Sequence, residues 1–84
     1  MKQIVIIAKL LIDHETFHTV QVFNGKQNVG RIFERGDNFL QDAHDLLQSR
    51  EVFNGDFQAF RDDIRQHKDR YRIVCNQVKS RLDL

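Results

Sequence analysis

Five consecutive residues, His14-Glu15-Thr16-Phe17-His18, match the pattern H-E-x-x-H. On a helix this spacing puts two imidazoles one turn apart on one face, where both can bind zinc. The glutamate between them can then act as general base on a metal-bound water. That chemistry depends on the helix. On a strand, positions four apart share a side but lie roughly 13 Å apart and cannot share an ion. Phe17, Thr19, Val20, Val22 and Phe23 are β-formers running into Asn24-Gly25, so the motif reads as polar residues at a strand start. A third ligand would have to come from His44, His67 or an acid, and none sits in a recognisable pattern. The zinc-hydrolase reading is set aside. No catalytic residue, metal or cofactor is assigned.

A second group carries charge rather than catalysis. Arg61, Arg65, Lys68, Arg72 and Lys79 fall within about 60° of one another on an ideal helix. Five cations along one helix edge can follow a row of phosphates or an acidic protein surface. They can equally be long side chains that flank a core, with stems on apolar surface and heads in water. The apolar stripe beside them comprises Phe57, Phe60, Ile64, His67, Tyr71, Val74, Val78 and Leu82. His67 lies within it and reads as a packed or boundary residue. Cys75 has no adjacent activating group that would make it a nucleophile. Phe17, Phe23 and Phe33 could stack on bases. Core packing is the simpler use, because seven Phe and no Trp must supply most of the interior.

The elements that must position these groups follow from a single change of hydrophobic period at Gly36-Asp37. Before it, apolar residues run in strand-like blocks: 3–12, 17–23 and 28–34, with Asn24-Gly25 as a hairpin signal. The first strand is apolar on both sides, with Ile4, Ile6, Ala8, Leu10 and Ile12 on one and Val5, Ile7 and Leu11 on the other. That suits a central strand or an interface. After the change, apolar spacing is helical. Gly36 or Asp37 can cap a helix over about 38–50, and Asp56 can cap a second from Phe57. No Gly or Pro follows Gly55, so the second helix could reach about Leu82 or break near Lys68-Asp69. The alternation of Tyr71, Ile73 and Cys75 offers a fourth strand over 70–76 instead. The sustained spacing favours the helix. Val22-Phe23-Asn24-Gly25 recurs as Val52-Phe53-Asn54-Gly55, but one copy follows a strand pattern and the other a helix pattern, so the recurrence reads as coincidence.

Composition narrows the rest. The chain has 84 residues, which points to one domain over 1–84, with a β-meander over 1–35 and a helical half over 37–84. A domain this small buries only roughly 60–65 % of its unfolded surface, so a partner or self-partner is expected. Residues 1–56 hold six basic and eight acidic side chains, and residues 57–84 hold seven and four. The basic charge therefore gathers at the C-terminal end. No apolar run approaches the roughly 18–20 residues of a membrane span, and the opening Met1-Lys2 and Ile4 to Ala8 reads as a strand rather than a leader because Lys9 interrupts it. The lone Cys75 points to a reducing cytoplasm.

The expectation is thus an α+β fold: a three-stranded antiparallel meander followed by two helices packed on one face. The expected function is a non-enzymatic interaction module, a regulator, adaptor or inhibitor docking on a macromolecule. Val5, Ile7, Leu11, Val74 and Val78 form the candidate interface for a protein partner or a homodimer. Small host inhibitors encoded by phages and other mobile elements share this size and shape. The alternative is a nucleic-acid-binding regulator that uses the basic stripe.

Overall fold

The computed structural model describes residues 2–12, 17–36 and 38–79, with the side chains of Leu11, Ile12, Val78 and Lys79 outside the described set. The chain runs β1 (Ile4–Ile12), β2 (Phe17–Asn24), β3 (Gln27–Arg35), α1 (Phe39–Ser49), α2 (Phe57–Gln66), a short 3-10 turn (Lys68–Arg70) and β4 (Tyr71–Lys79). The strands form one sheet in the order β3-β2-β1-β4. The β1–β2 and β2–β3 pairs are antiparallel, while β4 runs parallel to β1 from Ile4↔Tyr71 to Ile12↔Lys79. The α+β class, the antiparallel meander and the two helices follow the sequence expectation. The fourth strand corrects it, and the sheet is mixed.

The correction has a local cause and a distant one. Locally, α2 stops at Gln66 because His67 leaves helical geometry at φ −128° and ψ 62°. Its N–H still closes on the Asp63 carbonyl at 2.8 Å. The distant cause is β1, whose free edge satisfies the backbone of residues 71–79. The helix-like spacing of Tyr71 and Val74 arises because the two serve opposite sides of a strand. The break near Lys68-Asp69, weighed against a continuous helix, is the outcome observed.

Caps set the helix starts. The Asn38 side chain accepts from the Gln41 N–H at 3.3 Å, so Asn38 rather than Gly36 caps α1; Asp37 lies outside the described residues. Asp56 accepts from the Ala59 N–H at 2.8 Å and caps α2, as expected. In the β2–β3 hairpin Asn24 pairs with Gln27, so the central residues are Gly25 and Lys26, one position later than Asn-Gly suggests. Gly25 has φ +64° and is the first central residue, the place where a type II′ turn requires glycine. The two Val-Phe-Asn-Gly copies occupy unlike contexts, the end of β2 and the α1–α2 connection.

All core residues lie on one side of the sheet. Ile4, Ile6 and Ala8 of β1, Val20 and Val22 of β2, Val29 of β3 and Tyr71 of β4 pack against Ala43 and Leu47 of α1 and Phe60 of α2. Phe60 is fully buried and its ring meets those of His44, Phe53, Phe57 and Tyr71 at 5.4–6.5 Å between centroids. A Cβ on Gly30 would come within 2.7 Å of Leu46, so this glycine lets α1 sit close to β3. The opposite side of the sheet carries no buried residue among those described.

Candidate functional site

The open side of the sheet is built by strand alternation and register. Pairing aligns Arg72, Val5, Phe23 and Asn28 in one row, and Val74, Ile7, Gln21 and Arg31 in the next. A third row holds Asn76, Lys9, Thr19 and Phe33, and in a fourth Phe17 lies opposite Arg35. Rows are separated by two residues along β1, β2 and β4, about 6.6 Å, and by three on β3 between Asn28 and Arg31, where the register shifts. Phe33 is 61 % exposed. Its ring stacks on Phe17 at 5.5 Å between centroids and 18° between planes. The Arg35 guanidinium lies 5.3 Å from the Phe17 centroid, within cation–π range.

The charge on this side has one sign. Lys9, Arg31, Arg35 and Arg72 are all exposed there, and no described Asp or Glu occupies a position on it. Glu34, the one described acid on a strand, pairs with His18 and so belongs to the helix side. Lys9, Arg31 and Arg72 make no ion pair among the described residues. Apart from Glu34, the described carboxylates lie on the helices and their connections.

The expected basic stripe is not one surface. With α2 ending at Gln66, Arg61 and Arg65 stay on the helix, Lys68 sits in the 3-10 turn, and Arg72 and Lys79 belong to β4. Arg61 lies 5.9 Å from the Phe57 ring centroid, and Arg65 pairs with Asp62 at 3.5 Å. Arg72 is on the open side, and the Lys79 side chain lies outside the described set. Three of the expected interface residues come together on the sheet. Val5 and Ile7 of β1 share the open side with Val74, which pairs with Ile7 across the parallel ladder rather than extending a helix. Leu11 and Val78 are paired in backbone register, with side chains outside the described set.

The H-E-x-x-H motif does not form a two-imidazole site on a helix at its described end. His14, Glu15 and Thr16 lie outside the described residues, while Phe17 and His18 begin β2. His18 is buried on the helix side, with Nδ1 2.7 Å from the Gly36 carbonyl and Nε2 hydrogen-bonded to the Asp42 carboxylate. His44 is also buried and its Nε2–H donates to the Gly55 carbonyl at 2.8 Å. Both imidazoles tie one element to another. No group of three or more potential metal-ligating side chains occurs among the described residues. His67, expected within the apolar stripe, is instead an exposed helix cap. Cys75 is exposed and unpaired.

Core packing, the simpler use expected for Phe17, Phe23 and Phe33, is not their place: none belongs to the core. Their company on the sheet is cationic. Arg31-x-Phe33-x-Arg35 puts two cations and an aromatic on one side of a strand by the period of two. That signal was present in β3 and is local.

No helix among the described residues is long and apolar enough to cross a membrane. No protein-family model, curated protein or solved structure matches the chain.

Proposed function

We propose that the chain is a small interaction module, a regulator or adaptor without catalysis of its own, that docks single-stranded nucleic acid across the open side of its sheet. One observation carries this reading: a stacked aromatic pair, exposed Phe33 on half-buried Phe17, shares the open side with the exposed cations Lys9, Arg31 and Arg72 and no described carboxylate. Phosphates supply a salt-dependent attraction to Lys and Arg. Unpaired bases stack on aromatic rings, each worth about 1–3 kcal/mol by alanine substitution. Bases in a duplex are already stacked, so the Phe17–Phe33 platform favours single strands.

The charge also bears on the competing occupants of this side. A second copy facing it would bring Lys9, Arg31 and Arg72 against the same set, without a described carboxylate to neutralise them. A protein partner would have to be strongly acidic and would gain less from the rings. The cationic surface is then the sheet and not a helix stripe.

Fluorescence anisotropy with a labelled 12-nucleotide single strand tests it. The wild-type chain should bind at low salt, prefer the single strand to the same sequence as duplex, and weaken steeply as salt rises. Phe33→Ala should cost about 5- to 150-fold, the equivalent of one stacked base. Arg31→Glu should weaken binding and flatten the salt dependence. Neither residue is buried, so both variants should fold. Absence of binding at low salt, or variants that bind like wild type, would sink the reading.

A further inference from the structure

The two edges of the sheet are protected differently. β3 carries a register irregularity opposite Val22/Phe23 and three charged residues, Arg31, Glu34 and Arg35. Bulges and charges are the usual devices that keep an edge strand from pairing with another chain. β4 has neither along its middle. It runs nine residues without a register shift, and residues 73–78 hold no charge and no proline. It pairs only with β1, so among the described residues its outer row of N–H and C=O groups has no strand neighbour.

Beside this edge, on the helix side, lies a groove of about 250 Å³ lined by Ile64 and Arg65 of α2, Lys68 of the 3-10 turn, and Tyr71 and Ile73 of β4. Ile73 is 38 % exposed although its register partner Ile6 is fully buried. The space is below the roughly 300 Å³ at which small-molecule sites begin and suits an inserted side chain. Two cations stand at its rim. Lys68 makes no ion pair among the described residues, and the Arg65 pair with Asp62 is a 3.5 Å contact between exposed groups, which holds Arg65 only weakly.

We propose that the β4 edge and this groove form a strand-addition site for an extended acidic segment of a partner protein. The added segment pairs its backbone with β4, seats an apolar side chain on Ile64, Tyr71 and Ile73, and places carboxylates at Arg65 and Lys68. Main-chain hydrogen bonds supply affinity and the groove supplies specificity, as in other β-augmentation sites. A second copy of this chain is the poorer occupant. Its β4 holds no acid to meet Arg65 and Lys68. The site is on the other side of the sheet from the nucleic-acid surface and does not depend on it.

The test is an NMR titration of the full chain with two synthetic octapeptides that both carry Val at the fourth position and Thr elsewhere, one with Glu and one with Lys at the second and sixth, so that these three side chains share one side of the added strand. The Glu peptide should slow exchange of β4 amides and shift Arg65, Lys68 and Ile73, while the Lys peptide should not bind. Ile73→Glu should weaken the Glu peptide at least ten-fold, and Arg65→Glu with Lys68→Glu should reverse the preference between the two peptides. Shifts confined to the open side, equal binding of both peptides, or no β4 response at millimolar Glu peptide would overturn the proposal. Protection of β4 amides that rises with protein concentration alone would overturn it in favour of self-pairing.

Discussion

At the scale of single residues, polar side chains under the helices act as ties. His18 spans from β2 to Asp42 on α1 and to the Gly36 carbonyl after β3. Tyr71 does the same for the C-terminal half: its hydroxyl donates to Asp63 of α2 at 2.5 Å, and Arg70 lies 3.5 Å from the same carboxylate oxygen. Burial, then the hydrogen bond and charge of Asp63, hold the Tyr71 hydroxyl well above the ordinary tyrosine value, with Arg70 opposing. The ordinary value is about 10. Above that pH the unfolded chain releases the proton while the folded chain keeps it. The unfolded state then binds fewer protons, so stability falls as pH rises. The stabilisation is therefore full below about pH 10 and lost above it, by at most about 1.4 kcal/mol per pH unit for one proton. Urea midpoints of wild type and Tyr71→Phe should converge between pH 9 and 12. At pH 7 the variant should be less stable by about 1–2 kcal/mol, the worth of a hydrogen bond to a charged group that keeps other partners. Parallel pH profiles for the two chains would remove Asp63–Tyr71 as the alkaline-sensitive tie.

At the scale of elements, the hairpin shows how closely one backbone position can govern a register. Gly25 has φ +64°, and its N–H donates to the Gln3 carbonyl at 2.8 Å. A Cβ there would also come within 3.1 Å of Lys2 Cγ. Gly25→Ala should therefore cost about 1–2 kcal/mol through the left-handed conformation alone, read as a lower urea midpoint with unchanged slope. A variant within 0.5 kcal/mol of wild type would show that the turn relaxes to another type. The same contrast between local and distant causes explains what could be read from the sequence. The start of α2 was legible because Asp56 and the Ala59 N–H are three residues apart. The sidedness of β1 was legible because Ile4, Ile6 and Ala8 alternate with Val5 and Ile7. β4 was legible only as an alternative, through the alternation of Tyr71, Ile73 and Cys75, since its parallel partner lies 67 residues earlier at Ile4↔Tyr71. As an edge strand it also buries few residues, so Tyr71 and Val74 keep a spacing that a helix would show. The cationic surface was obscured in turn, because it needs the register of four strands to bring Lys9, Arg31 and Arg72 onto one side.

At the scale of the whole molecule, every buried apolar residue among those described lies between the helices and one side of the sheet. The other side contributes half-exposed Val5, Ile7, Phe17, Phe23 and Val74 that gain little from folding alone. Domains of this size hold only a few kcal/mol in reserve, so a ligand that covers the open side should be felt as stability. Binding to the folded state alone adds about 2.7 kcal/mol when free ligand is 100-fold above its Kd. In a domain of 60–100 residues each kcal/mol moves Tm by about 4–8 °C, so a saturating single-stranded 12-mer should raise Tm by roughly 10 °C or more. Phe33→Ala should leave the ligand-free Tm nearly unchanged, because the ring is 61 % exposed, yet at the same oligonucleotide concentration its rise should be much smaller. Raising salt should erase the wild-type rise while sparing the ligand-free Tm. The three readings separate a surface built for a polyanion from one that is merely uncovered. An equal Tm rise in Phe33→Ala would assign the binding to charge alone, and no rise in either chain would remove the open side as a nucleic-acid surface.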